Sequence, residues 1–234
     1  MLEKLLIRGC AKKLLGKYAI LTIHPSAIVE YADTPFYEER EQFKQKVGKS
    51  LGTLLLHSFY IRHSLFSPEG DWDLKTSCIK ELHTYQMLEN LWQHRDDFHQ
   101  SIWYQQALQR FEAKCSYKHK REKVHSKEQL DLLFEQYLLA LLKSMKTDGY
   151  NSTLSKENPR IVIGRDGKLL KSRKGRHRFS AAHIVGAQSI VVEIDNIHPK
   201  WLQKIDGGFF GEKLKNTQNA LAQLEALNQK ILSL

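Results

Sequence analysis

Residues Ile161 to Ile194 read IVIGRDGKLLKSRKGRHRFSAAHIVGAQSIVVEI. Ile161-Val162-Ile163 is a short apolar run suited to a strand. Arg165-Asp166-Gly167-Lys168 then turns the chain, and Leu169-Leu170 restarts it. Gly175-Arg176-His177-Arg178 leads straight into a helix-forming run, Phe179 to Val185, which Gly186 stops. Ser189 to Val192 is β-branched enough for another strand. The order strand, turn, helix, strand predicts an α/β (α+β) fold with a small mixed sheet and the helix packed across it. A glycine-led turn opening a helix presents unbonded backbone N–H groups at the positive end of the helix dipole. Arg176 and Arg178 add guanidinium donors, so a phosphate there would be stabilised by backbone and side chains together. The plainer alternative is a solvated basic turn in front of an ordinary helix.

Upstream, Leu141 to Tyr150 reads LLKSMKTDGY, a helix running into a glycine turn. This segment, the Asp166-Gly167 turn, Gly175 to Arg178, Ala181-Ala182, Gly186 and the closing strand together resemble the ParB/sulfiredoxin fold. The resemblance covers Lys127 to Trp201. It implies a nucleotide-binding core over residues 127–202. In such a core Gly175, Arg176, His177 and Arg178, with Asp166, Tyr150 and Asn151, would contact ATP or another nucleotide. Two departures narrow the relatives. Sulfiredoxins carry cysteine at the second place of the box, where this chain has Arg176, so repair of sulfinic acids is not expected. Partition proteins continue into a helix-turn-helix domain, whereas only roughly thirty residues follow Trp201. What remains resembles small-molecule kinases and ParB-like proteins described as nucleases. Gly70-Asp71-Trp72-Asp73 also resembles an element found upstream of ParB-like boxes in bacterial proteins of this kind.

The 234 residues suffice for one domain with insertions or two small ones. With 41% apolar and 26% charged residues, the composition is that of an ordinary globular protein. No apolar run is long enough to span a membrane. Cys10, Cys78 and Cys115 are widely spaced and form no metal motif, which suits a reducing cytoplasm. The net charge of +10 points to polyanions, acidic membranes or phosphorylated molecules as partners. The excess is spread along the chain, which suits plain solubility, with local concentrations at Lys114 to Lys127 and at Lys168 to Arg178, and the second cluster falls on the phosphate-box candidate.

The rest of the chain divides into a mostly helical region with short strands, residues 1–115, and a C-terminal helix within 203–234. Met1 to Tyr18 reads as a basic amphipathic helix. It packs on its own domain or lies on an anionic membrane surface, which would make the protein peripheral at the inner membrane face. Ala19 to Ile23 reads as a strand, Glu38 to Gly48 as a helix, and Leu51 to Phe66 as one or two strands. If Asp71-Trp72-Asp73 is extended, both carboxylates share one face and can hold Mg²⁺ or share acid/base work. The alternative is a turn with an Asp cap and a core tryptophan. Thr76 to Phe111 reads as long, helical and aromatic-rich; its His94 and His99 are five apart and do not share a face for a metal. Cys115 to Ser126 reads as a basic linker, and Lys127 to Met145 as the strongest helix in the chain.

Three functions fit. In a nucleotide-dependent phosphotransferase, Gly175 to Arg178 hold ATP phosphates and Asp71 or Asp73 holds Mg²⁺ or orients a hydroxyl. Asp148 and Glu193 are the rival acids, and the acceptor is a small molecule or glycan. In a nucleic-acid-binding protein or nuclease, the charge and the aromatics serve a polyanion without a helix-turn-helix. In a nucleotide sensor, the box remains and the acids are irrelevant.

Overall fold

The computed structural model describes residues 14–32, 44–51, 70–119, 122–154 and 157–230. The expected basic N-terminal helix, the start of the Glu38 to Gly48 helix, and the strands sought in Leu51 to Phe66 lie wholly or largely outside these residues. No helix among the described residues is long and apolar enough to cross a membrane.

The centre is a six-stranded mixed sheet. In chain order its strands are β1 (Ile20–Ile23), β2 (Glu30–Ala32), β3 (Thr76–Cys78), β6 (Arg160–Ile163), β7 (Leu169–Lys171) and β8 (Ile190–Ile197). Between β3 and β6 a two-stranded hairpin stands apart, made of β4 (Tyr117–His119) and β5 (Glu122–Val124). Across the main sheet the order is β1-β8-β6-β7-β2-β3. The β6–β8 and β2–β7 pairs are parallel, and the other pairs are antiparallel. Strands from before residue 115 therefore pair directly with strands from after residue 127: Ile20 lies opposite Glu193, and Tyr31 opposite Lys171.

The helices are α1 (His83–Gln93), α2 (Ile102–Lys114), α3 (Lys127–Leu132), α4 (Ala140–Thr147), α5 (Arg176–Val185), α6 (Pro199–Gln203) and α7 (Phe210–Lys230). A π-helical segment, Leu133–Leu139, joins α3 to α4 without a break. Strand alternation separates the two faces of the sheet. Ile161, Ile163, Leu169, Val192 and Ile194 point into the main core, with Phe179, Leu88 and Phe134 from the helices. Val162 and Leu170 point the other way, into a small cluster with Ala32 and Trp72. The helix expected after the glycine box is α5, and it does pack on the main face. Gly186 ends it in the left-handed conformation, at φ 67°.

Two expectations are corrected. Thr76 to Phe111 is not one helix. Its first residues pair with β2, and His94 to Ser101 separates α1 from α2. The break has local causes: Asp97 accepts from the His99 N–H to cap a short 3₁₀ turn, and Ser101 caps α2 by accepting from the Tyr104 N–H. Cys115 to Ser126 is not a plain linker, because it holds the β4–β5 hairpin, with Tyr117 opposite Val124. Of the two readings of Asp71-Trp72-Asp73, the turn with a core tryptophan is the one found, closed by the Leu74 N–H donating to Asp71 O at 3.1 Å. At the far sheet edge, α7 shields β1: Glu225 accepts from the Thr22 N–H, and Gln229 donates to Thr22 O.

Candidate functional site

Gly175 is the N-cap of α5, at φ 75°. A Cβ there would sit 2.5 Å from Pro159 Cα, so only glycine fits this close crossing of two backbones. The next N–H with a helical partner is that of Phe179, which bonds Gly175 O. The N–H groups of Arg176, His177 and Arg178 belong to the first turn, ahead of the first intrahelical donor.

This turn faces a cleft of about 530 Å³. Arg173, Arg176 and Arg178 line one side of it together with Gly175 and His177. The rest of the lining comes from the end of α4, the turn after it and the π-helical segment, through Tyr137, Leu141, Met145, Tyr150, Asn151 and Leu154. The two sequence boxes, about thirty residues apart in the chain, therefore meet across one cavity. No Asp or Glu side chain lines it among the described residues.

Each wall is held in place. Asn151 Oδ1 accepts from the N–H and the hydroxyl of Thr153 and so fixes the turn after Gly149. Tyr150 Oη donates to Asn158 Oδ1 at 3.3 Å. Burial raises the Tyr150 pKa, opposed by a hydrogen bond from Arg178. Arg178 also donates to the main-chain oxygen of Glu157. His177 packs against Trp103 and His119, with ring centroids at 6.1 and 5.7 Å. It is both a packing residue and part of the lining. Arg176 lines the same cleft as Arg178 and is half-buried.

Beneath the loop lies Lys171, only 1% exposed. Its ammonium donates to Arg160 O (2.9 Å), Ser172 O (2.5 Å) and Lys174 O (2.6 Å), and sits 5.8 Å from the Phe179 ring centroid. Burial, joined by the charges of Arg176 and Arg178, pulls its pKa well below the usual lysine value. Three carbonyl acceptors for three N–H donors match the charged form. Lys171 thereby ties the Ser172 to Lys174 loop to β6 just before Gly175. Nothing in its sequence context, LLKSR, marks it as buried.

The acids expected to serve the cleft lie elsewhere. Arg165 clamps Asp71 and Asp73: its Nη2 bonds both carboxylates at 2.7 Å, its Nε bonds both Asp73 oxygens, and its backbone N–H bonds Asp73 Oδ2. Burial raises the Asp73 pKa, but the Arg165 hydrogen bonds outweigh it and hold the carboxyl below its ordinary value. Arg165 likewise holds the exposed Asp71 down. Trp72 is buried against Val162 and Leu170 and tilts over His198, whose Nε2 is 3.0 Å from Gly70 O. The turn therefore roofs the back face of the sheet. Asp166 is exposed in the β6–β7 turn and accepts from the Lys168 N–H. Glu193 and Asp195 flank Arg160, at 3.9 and 3.0 Å. Asp148 ends α4, exposed, one residue before the lining Gly149. No group of three or more metal-ligating side chains occurs among the described residues. The Mg²⁺ expected on Asp71 and Asp73 does not fit them, since Arg165 occupies three of their four oxygens.

Arg173, Tyr137, Leu141, Ser144, Met145, Gly149 and Leu154 complete the lining and were not singled out as site residues by the sequence. The signal for Arg173 is its place in the basic cluster. Tyr137 is 45% exposed in a helix whose Leu138 and Phe134 are fully buried. It also borders a second, shallower cavity of about 400 Å³ with Lys123, Gln129, Leu132 and Gln136. π-helical turns concentrate at functional sites, and this one carries the residue shared by both cavities.

Compared with known proteins, the chain matches no family model, no curated protein and no solved structure. What the cleft does has to be read from its own geometry.

Proposed function

We propose that this protein binds a nucleotide, with the phosphates on the Gly175 to Arg178 turn and the nucleoside against the opposite wall. One observation carries the reading. Three arginines and the N-terminal turn of α5 line one cleft together with tyrosine, leucine and methionine side chains. Phosphate needs the first surface, and a base needs the second. The ParB/sulfiredoxin resemblance would place nucleotide phosphates on the same turn.

The test is calorimetric titration with ATP, ADP, CTP and GTP, repeated on Arg178→Ala. A charge-assisted contact contributes roughly 1.5–3 kcal/mol. The substitution should therefore weaken binding about tenfold to a hundredfold while Arg178→Lys recovers part of it. Arg178 also holds Glu157 O and Tyr150, so a melting curve on each variant separates lost affinity from lost fold. Failure of every nucleotide to bind would remove the reading. Binding of DNA or RNA with a steep salt dependence would replace it with the nucleic-acid reading.

A second reading is phosphotransfer from ATP to a hydroxyl on a small-molecule or glycan acceptor. It is favoured by the cavity next to the cleft, which shares Tyr137 with it and offers Gln136 and Lys123 to a polar acceptor. Nucleotide-dependent phosphorylation of an acceptor, followed as ADP release, tests it.

A further inference from the structure

We infer that the cleft takes its polyphosphate as the metal-free anion, so that Mg²⁺ competes with the protein for the ligand instead of bridging the two. The inference rests on the nucleotide reading and adds to it the charge state of the ligand. Mg²⁺ sites at phosphates are completed by one or two protein carboxylates, because the ion demands oxygen ligands in octahedral geometry. The described lining of this cleft offers three arginines, a histidine, Ser144, Asn151 and two tyrosines, and no carboxylate.

Glu122 lines the neighbouring cavity that shares Tyr137, not this cleft, and the acids expected at the site also lie outside the lining. Asp148 is exposed at the end of α4, outside the lining. Glu157 presents its main-chain oxygen to Arg178, while its carboxylate lies 4.0 Å from Lys174 Nζ. Asp71 and Asp73 are bonded to Arg165 on other elements. Positive charge is meanwhile abundant: Arg173, Arg176 and Arg178, reinforced by the N-terminal dipole end of a ten-residue helix.

The three arginines supply here the positive charge that a divalent ion supplies elsewhere. Uncomplexed ATP carries roughly four negative charges near neutral pH, and Mg²⁺ cancels about two of them. The ion also occupies the same non-bridging oxygens that the arginine forks would take. Its complex therefore presents both less charge and fewer acceptors to this surface. Inorganic triphosphate, which has the charge without the nucleoside, should compete for the same turn.

The experiment is titration of ATP into the full chain with EDTA and again with saturating MgCl₂, at matched ionic strength. About tenfold tighter binding in EDTA is expected, the equivalent of one charge-assisted contact. Equal or tighter binding with Mg²⁺ would overturn the inference while leaving nucleotide binding intact. Absence of ATP binding in both arms would instead overturn the nucleotide reading and this inference with it. Asp148→Asn supplies the control. Its affinity in the Mg²⁺ arm should match the unsubstituted chain, and a loss confined to that arm would assign Asp148 to a metal and refute the metal-free reading.

Discussion

Replacing Lys171 by methionine tests whether the buried ammonium organises the glycine turn. Methionine keeps an unbranched apolar stem of similar length and removes the charge with its three donors. Each of the contacts to Arg160 O, Ser172 O and Lys174 O is worth roughly 1.5–3 kcal/mol as a charge-assisted bond. Against that sum stands the several kcal/mol spent in taking an ammonium out of water, the same burial that lowers its pKa. Two of the three carbonyls keep another partner, since Arg160 O also accepts from the Ser172 N–H and Lys174 O from the Arg160 N–H. Ser172 O loses its Lys171 donor, and a buried carbonyl left unsatisfied costs about 1–3 kcal/mol. The net expectation is a loss of about 3 kcal/mol, which in a chain of this length lowers Tm by roughly 10 °C. Thermal unfolding followed by circular dichroism measures the shift, and ATP titration below the transition reports whether the turn still binds. A Tm within about 2 °C of the unsubstituted protein would refute the reasoning. It would mean that desolvation cancels the three contacts and that the loop before Gly175 is held by other means.

Two further outcomes follow from the same coordinates. Asp73→Asn removes the charge that Arg165 grips with its Nε, Nη2 and backbone N–H; a loss of roughly 2–4 kcal/mol in urea unfolding is expected, with ATP affinity unchanged because Asp73 does not line the cleft. Abolished nucleotide affinity in a folded Asp73→Asn protein would return this turn to the site. Burial, with the nearby Lys80 and His24, lowers the pKa of His183, whose Nδ1 lies 3.1 Å from Tyr85 Oη between α5 and α1. The unfolded chain therefore binds more protons than the folded one between the lowered pKa and about 6.5. The His183 contribution is complete above about 6.5 and is lost as pH falls through that window toward the folded value. His183→Gln should flatten the stability profile there in denaturant titrations at stepped pH, and an unchanged slope would contradict the assignment.

How much of this was legible beforehand depends on where the information lies. The box region was readable because its signals are local. Gly175 and Gly186 bracket α5 with backbone conformations that glycine adopts easily, and the runs around Val162 and Val192 are short and β-branched. The sheet's full width was not readable, because pairing of Ile20 with Glu193 or Tyr31 with Lys171 is non-local. Three-residue strands such as Thr76–Cys78 carry almost no period of their own. They form because β2 offers an open edge.

The site divides along the same line. Arg176, His177, Arg178, Tyr150 and Asn151 belong to two compact boxes, and the fold brings both boxes to one cleft. Asp71 and Asp73 misled because alternation places two carboxylates on one face only if the backbone is extended. In a turn, Trp72 can drop onto Val162 and Leu170 while both neighbouring acids converge on a single arginine from β6's following turn. An acid pair beside an aromatic residue therefore has two physical meanings, a metal seat or an arginine seat. What separates them is a cation about ninety positions away, whose approach no spacing rule encodes. Arg165 sits in the very turn that begins the box region, so the turn at Asp71 braces the strand pair carrying Lys171 and the loop before Gly175 from behind. On this account the two acids matter to the cleft through the rigidity of β6 and β7, and not through any oxygen they could offer a ligand.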